Sequence, residues 1–452
     1  MSDLPRLSLA LNSSATTSAL RLLVLSNGHG EDVIAVRILQ ELQQLPNAPD
    51  IFALPIVGEG HAYQQLNIPV VGSVRTMPSG GFIYMDGRQL ARDVRGGLLQ
   101  LTRSQIKAVR SWVNLQKKSG NRSAILAVGD IVPLLFAWGS GADYAFIGTA
   151  KSEYYVRDEV GLLQRKSKAA RWENFSGSVY HPWERWLMSR PHCKAIFPRD
   201  SLTAEILKKW SIPAFDLGNP MMDGLEPSFP QGRLYRGDAE QQEIIRPLIV
   251  TLLPGSRPPE AYANWEQIMV AVSSVMEIPE RNALLHTGTM VFLGAIASSL
   301  DLNILSHFSK SQGWHLHSKS PVQIYDANAL TFKSNNAYLI LTQQAYNDCL
   351  HLGDLAIAMA GTATEQFIGL GKSAIAIPGN GPQYNPGFAE AQSRLLGSSL
   401  ILVEQAAQVG QVVRSLFNDP DKVQAHADNG LRRMGKPGAA RRIAECLLDL
   451  LG

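Results

Sequence analysis

At 452 residues, with 45% hydrophobic and 18% charged residues, the chain has a globular composition and length for two or three domains. A net charge of +3 gives no argument for a nucleic-acid partner. Three dispersed cysteines, Cys193, Cys349 and Cys446, supply neither a disulfide framework nor zinc spacing, and they fit a reducing compartment.

The first twenty residues lack a basic start and a continuous apolar core, so 1–20 reads as a flexible tail and not a signal peptide. No window approaches the ~18 uninterrupted apolar residues of a spanning helix, which leaves only peripheral membrane contact. Short apolar runs at 21–26, 51–56, 124–128, 144–147 and 195–197 predict strands, with helical patterns at 32–44 and 201–210. Between 88 and 118 stand eight basic residues and one acid, interleaved with Leu90, Val94, Leu98, Leu101, Ile106, Val109 and Trp112. Such a basic amphipathic stretch suits an anionic membrane surface, or else a helix with its apolar face in the core. Trp172, Trp183, Trp186, Arg185 and Arg190 form a second aromatic and basic cluster, suited to a bilayer interface, sugar stacking or ordinary packing.

Residues 226–247, polar and rich in proline and glycine, read as a linker. The pattern then restarts, with strands expected at 248–253, 289–294, 355–360, 373–378 and 400–403, and a strand or hairpin over 329–343. Helices fit 262–276, 344–352, 364–370, 387–396, 405–417 and 438–451. Alternating strands and helices predict an α/β chain of two doubly wound Rossmann-like domains facing across a cleft. We place an N-terminal acceptor domain at 21–225, a C-terminal nucleotide-sugar domain at 248–420, and a helical segment at 421–452 that packs back on the N-terminal domain. Ligands in open α/β sheets sit at the carboxyl ends of strands, so function is expected at the strand-to-loop corners.

Four corners carry chemistry. LVLSNGHGEDVIA places Asn27, Gly28, His29 and Gly30 between a strand and a helix, with Glu31 and Asp32 as expected helix caps. LPGSRPPE offers Gly255 for close backbone approach, Ser256 for an anionic oxygen and Arg257 for a phosphate; a solvated arginine on a proline turn is the plainer alternative. In AMAGTATEQF, Gly361, Thr362 and Thr364 can meet a diphosphate and Glu365 a ribose, or the threonines only cap the helix. GNGPQYNPGF supplies Gln383 and Asn385, amides able to bond a sugar, on a loop that otherwise merely connects.

LPGSR, AGTATEQ and GNPMMD (218–223) resemble, in order and over most of the chain, the GT-B glycosyltransferases. The closest likeness is to lipid-A-disaccharide synthase, with a weaker one to the UDP-GlcNAc transferase of peptidoglycan synthesis. The resemblance implies a UDP-sugar, UDP-GlcNAc or a derivative, as substrate, held mainly by the C-terminal domain. It places Ser256 and Arg257 at the diphosphate, Thr362 and Thr364 at the phosphates, Glu365 at the ribose and Gln383 at the sugar. It also implies inverting transfer without metal or cofactor, onto a lipid or lipid-linked sugar acceptor, at the cytoplasmic face of a membrane.

The chain departs from that pattern where the acceptor would bind. The synthase's Gly-Glu-Xaa-Ser-Gly-Asp-like loop is SNGHGED here, which gains His29, and its acidic loop is AVGDIVPLL, which keeps Asp130. Glu365 stands one place earlier than the family's glutamate, so its role can pass to Gln366. Inverting transfer needs a general base, for which His29 and Asp130 are the candidates, alone or together. The bland alternatives are a backbone-bonded loop histidine and a cap for a helix at 132–138. A UDP-GlcNAc 2-epimerase needs no acceptor and shares the architecture, and a non-catalytic nucleotide-sugar-binding protein would keep only the donor side.

Overall fold

The computed structural model describes residues 20–74, 98–164, 175–228, 247–278 and 289–452. Among them the chain forms two sheets. The first comprises β1 (Arg21–Ser26), β2 (Asp50–Pro55), β3 (Ser123–Gly129), β4 (Asp143–Gly148) and β5 (Cys193–Pro198), in the order β2-β1-β3-β4-β5. β1 pairs in parallel with both β2 and β3. The second comprises β6 (Leu248–Leu253), β7 (Met290–Ala295), β8 (His315–Leu316), β9 (Leu330–Ser334), β10 (Ala337–Thr342), β11 (Leu355–Ala358), β12 (Ser373–Ala376) and β13 (Leu400–Leu402). Its order is β13-β12-β11-β6-β7-β10-β9-β8. Only β9 runs antiparallel to its neighbours; the stretch over 329–343 is thus a hairpin.

The helices are α1 (His29–Gln43), α2 (His61–Gln65), α3 (Leu98–Lys118), α4 (Ile131–Ser140), α5 (Pro182–Met188) and α6 (Ser201–Lys208). Around the second sheet they are α7 (Glu260–Met276), α8 (Leu302–Ser311), α9 (Tyr346–Leu352), α10 (Thr362–Gly369), α11 (Pro386–Leu396), α12 (Val409–Phe417), α13 (Pro420–Met434) and α14 (Ala439–Leu451). Strands buried on both faces explain the unbroken apolar runs: every residue of LIVTLL in β6 is buried. Starts of helices follow their caps, with Asp130, Asp200, Asp301, Asn385 and Asp419 each accepting a first-turn amide of α4, α6, α8, α11 and α13.

The residues divide into two compact units. Those up to Phe146, with Arg190–Ala195 and Ala444–Gly452, make one; Ile147–Ser189 and Ile196–Ile443 make the other. The 21-residue helix α3 belongs to the first, and its apolar side, Leu101, Val109, Trp112 and Val113, is buried in the core. The ring of Trp112 meets Phe52 edge-on at 5.5 Å. That packing takes the side of the helix that a membrane would need, so the described part of the basic stretch, 98–118, is a core helix with exposed cations; residues 88–97, with Arg88, Leu90 and Val94, lie outside the described residues. Trp172 and most of the 226–247 linker do so as well.

In each sheet the strand order turns back on itself once. The chain leaves β1 for β2 on one side and returns to β3 on the other; it leaves β6 for β7 and returns to β11. Crevices at such reversals are where open α/β sheets bind ligands. The predicted corners follow these strands: Asn27–Gly30 after β1, Asp130 after β3, Gly255–Arg257 after β6, and Gly361 onward after β11.

Candidate functional site

In the first unit, Gly28 connects β1 to α1 at φ 109°, a region that side chains rarely adopt, and a Cβ there would meet the Val57 carbonyl at 3.4 Å. Gly129 (φ 132°) lets β3 pass Asn27 closely, since a Cβ would stand 3.1 Å from that residue's own Cβ. Gly30 is exposed and has open space around it. His29 is the first residue of α1, and its imidazole lies outside what the structure describes.

Asp130 caps α4, accepting from the Val132 amide at 2.8 Å through Oδ1. Its Oδ2 accepts from Asn27 Nδ2 at 2.9 Å. A carboxylate only accepts, so the Asn27 amide must turn its NH2 toward Asp130. Asn27 Oδ1 is then left buried without a hydrogen-bond partner. Beside it, the Tyr63 hydroxyl donates to Ser26 Oγ (2.6 Å), which donates to Asp32 (2.5 Å). Burial, then the charge of Asp32, raises the Tyr63 pKa far above its ordinary value, so this chain stays protonated. Asp32, in the first turn of α1, is thus a buried anchor for the end of β1, and Gly28 holds the N-cap position.

In the second unit, three corners stand at adjacent strands β6, β11 and β12. Gly255 (φ 91°) brings the first corner against the second: a Cβ would lie 3.3 Å from the Met359 carbonyl. Asn264 of α7 ties them, donating to the Pro254 carbonyl at 3.0 Å. Glu260, at the start of the same helix, holds the third: its carboxylate accepts the amides of Tyr384 (2.6 Å) and Gln383 (3.2 Å). Gly381 lets the loop lie against this carboxylate: a Cβ there would stand 2.2 Å from the Glu260 carboxyl carbon and displace it. Gln392 of α11 closes the arrangement, donating to the Gly361 carbonyl at 3.0 Å and accepting from the Tyr384 hydroxyl at 3.0 Å.

Several predicted donor-side residues prove to be committed within the fold. The Thr364 hydroxyl is buried and donates to the Ala360 carbonyl at 2.5 Å, so it braces the first turn of α10 and offers nothing to a phosphate. Asn385 spends its oxygen capping α11 at the Phe388 amide (2.9 Å). Gln366 uses both ends, accepting from Tyr346 (2.6 Å) and donating to the Met221 carbonyl (2.8 Å). Glu365 is buried in an ion pair with Arg199, Oε2 to Nη2 2.5 Å. Burial alone would lower the Arg199 pKa; Glu365, Tyr155 and Asp200 outweigh it and hold the guanidinium above its usual value. In GNPMMD, Asn219 caps a short turn and Asp223 accepts the Gly438, Ala439 and Ala440 amides that begin α14, so this motif is architectural.

Ser256, Arg257 and Thr362 remain at exposed positions. The first amides of α10, at Thr362 and Ala363, have no helical carbonyl to bond. An arginine, a hydroxyl and helix N-terminal amides at neighbouring strand ends suit an anionic diphosphate. The Gln383 side chain stands half-buried beside them. Sequence reasoning missed Glu260, Asn264, Gln392 and Arg199. Glu260 had a visible signal, an acid three residues after Arg257 at a helix start; Arg199 had none. Among the described residues no cluster of histidine, cysteine or carboxylate side chains could hold a metal ion, and no helix is long and apolar enough to cross a membrane.

No protein-family model matches the chain, and no curated protein matches it. Solved structures do. MurG of Acinetobacter baumannii is matched with TM-score 0.50 and 14% identity over 95% of this chain and 99% of that one. The UDP-GlcNAc 2-epimerase of Neisseria meningitidis bound to UDP-GlcNAc is matched with TM-score 0.50 and 13% identity, over 95% and 100%. MnaA of S. aureus with UDP gives 0.50 and 12%, over 96% and 97%. At such identities the likeness is one of fold: the chain is an α/β protein of the GT-B type with parallel, Rossmann-like sheets.

Proposed function

We propose that this protein is a glycosyltransferase that moves a sugar, with inversion, from a UDP-sugar (UDP-GlcNAc or a derivative) to a lipid-type acceptor, in a branch related to lipid-A-disaccharide synthase. The observation that carries the donor half is the convergence of exposed Ser256, Arg257 and the start of α10 at the strand reversal of the eight-stranded sheet. Arg257 neutralises the diphosphate, and Ser256 and the amides at Thr362 and Ala363 hydrogen-bond it. Arg199 fixes one oxygen of Glu365, whose other oxygen receives a ribose hydroxyl, and Gln383 meets the sugar. No step requires a metal, because arginine and helix amides stabilise the departing phosphate charge.

On the acceptor side, a base removes the proton from the acceptor hydroxyl as its oxygen attacks the anomeric carbon. The bond from that carbon to the β-phosphate oxygen breaks, and UDP departs with the electron pair. His29, at the head of α1, is the candidate base. Asp130, whose two oxygens hold the Val132 amide and Asn27, serves it by fixing Asn27, or acts as base itself by releasing one of those bonds. A thermal-shift panel of UDP-, GDP- and ADP-sugars tests the donor class; indifference to all UDP-sugars removes the proposal.

A second reading is favoured by the full-length match to an epimerase holding UDP-GlcNAc. Incubation with UDP-GlcNAc alone separates the two: an epimer in the NMR spectrum identifies an isomerase. UDP-sugar binding with neither epimer nor transfer marks a nucleotide-sugar-binding protein.

A further inference from the structure

The β8 edge of the eight-stranded sheet carries a groove of about 370 Å³, lined by residues 313, 315–317 and 333–335 of the second unit. Lys333 of β9 lies opposite His315 on β8 and opposite Tyr338 on β10. Directly opposed residues share one face of a sheet. His317, two places beyond His315, keeps to that face and stays in the ladder, its amide donating to the Thr331 carbonyl at 2.8 Å. Tyr338 gathers two of these groups: Lys333 Nζ stands over its ring, 5.4 Å from the centroid, and the His317 ring lies at 5.8 Å. His317 Nδ1 accepts the Lys319 amide at 3.3 Å, so Nε2 carries the N–H. The β9–β10 turn beside the groove stands at the amino ends of β7 and β10, where Met290 pairs with Ala337. The proposed donor corners follow the carboxyl ends of β6 and β11, so the groove is a different place.

Charge here is of one sign. No carboxylate lines the groove. From Leu302 to Asn347 the chain carries Lys310, Lys319, Lys333, His307, His315 and His317 against a single acid, Asp326. That acid is buried, and both its oxygens are taken. Oδ1 accepts the Asn328 amide (2.9 Å), and Oδ2 accepts the Thr342 hydroxyl (2.7 Å) and the Gln343 amide (3.0 Å). Cross-strand pairs of opposite charge stabilise a sheet; a lysine set against a histidine forgoes that gain, which an anion in the groove restores. A lysine ammonium, imidazole N–H groups, the Ser334 hydroxyl and the Asn335 amide are a donor set for an anion that accepts several bonds at once, as a phosphate does.

We propose that this groove binds the phosphate group of a small soluble phosphate compound, with Lys333 as its counter-charge and His315 and His317 as hydrogen-bond donors. The site is additional to the donor crevice and stands or falls without it.

Inorganic pyrophosphate is titrated into the full chain at fixed pH while the histidine ring signals are followed by NMR. His315 and His317 are assigned by the signals missing from His315→Asn and His317→Asn. Both signals are expected to shift and saturate together, while those of His351 and His426 stay in place. The donor corners hold no histidine, so binding there does not mimic this result. Lys333→Met, which keeps an apolar stem over Tyr338, is expected to weaken binding at least about tenfold, the value of about one charged hydrogen bond, and Lys333→Arg to retain it. Absence of a saturable shift at His315 and His317 overturns the proposal, as does equal affinity in Lys333→Met. Shifts that sodium chloride reproduces at the same ionic strength are screening of a cationic surface and also overturn it. Saturable binding in a protein indifferent to every UDP-sugar leaves this site standing and refutes only the transferase reading.

Discussion

Replacing Arg199 by methionine gives the most demanding test of how the donor-side helix is held. Arg199 and Glu365 expose 7% and 9% of their side chains, and their charged atoms are 2.5 Å apart. Arg199 Nη1 also donates to the Thr149 carbonyl at 3.3 Å. Methionine fills similar volume but leaves the Glu365 carboxylate buried without its counter-charge. Breaking a buried pair by removing one partner costs about 3–5 kcal/mol, far above the value of an exposed pair. With a urea dependence of about 3 kcal/mol per molar for so large a unit, the midpoint should fall by roughly 1–1.7 M. The damage should be reversible by removing the other charge: Arg199→Met/Glu365→Leu should regain most of the loss, because an apolar replacement of the whole pair is about neutral. Urea titrations of wild type, both single variants and the double variant complete the cycle. A single-variant shift below about 0.3 M, or losses that simply add in the double variant, refutes the claim that the pair is buried and mutually dependent.

Arg257→Ala should weaken UDP-sugar binding at least tenfold, the value of about one charged hydrogen bond, and unchanged affinity in calorimetry would remove Arg257 from the donor site. Asp130→Ala should cost about 2 kcal/mol, from the lost cap of α4 and the freed Asn27 amide, with Asp130→Asn milder; urea midpoints read this directly. Once a transfer activity is defined, His29→Ala or Asp130→Ala should lower its rate by about 10²-fold or more, and if neither does, the base lies elsewhere. Stability should fall on acidification: burial lowers the pKa of His351, whose Nε2 donates to the Leu225 carbonyl at 2.7 Å, and also that of His426. A folded-state pKa below the unfolded one gives stability that is present above the unfolded value, about 6.5, and lost as pH falls. His351→Asn/His426→Asn should flatten the difference in urea midpoint between about pH 7.5 and about pH 5.5, and an unflattened difference assigns the acid sensitivity to other groups.

The fold was readable because parallel strands buried on both faces leave short, unbroken apolar runs. RLLVLS and LIVTLL carry that signature, and both strands occupy the expected residues. The helix Leu302–Ser311 was missed although capped by Asp301, because that cap looks like an ordinary turn residue, whereas Pro420–Met434 falls in the helical segment placed at 421–452. The basic stretch at α3 shows the limit of periodicity. Its pattern marks an amphipathic helix, and nothing within the helix itself says whether Trp112 meets a bilayer or Phe52.

The site was legible by corner and much less by residue. Small and hydroxylated residues after a strand locate a ligand crevice, but the same chemistry stabilises the crevice's own walls. Thr364 and Asn385 fit a ligand role by composition, yet each finds a backbone partner within four residues in the chain. Such local bonds are made before any ligand arrives. Residues whose partners are distant in sequence escape this competition only through topology: Glu260 reaches Gln383 across 123 positions and Arg199 reaches Glu365 across 166. Candidate ligand contacts are therefore those left when local and long-range bonds have both been assigned. For the proposed donor side that leaves Ser256, Thr362 and the Gln383 side chain, with the second oxygen of Glu365; Arg257 joins them by its exposure. On the acceptor side it leaves the orphaned Asn27 Oδ1, an acceptor held in place by Asp130 and suited to a hydroxyl donor. Two buried carboxylates thus fill the same office, Asp130 fixing the Asn27 amide and Glu260 the backbone of Gln383. A search for reactive residues by exposure alone would have passed over both.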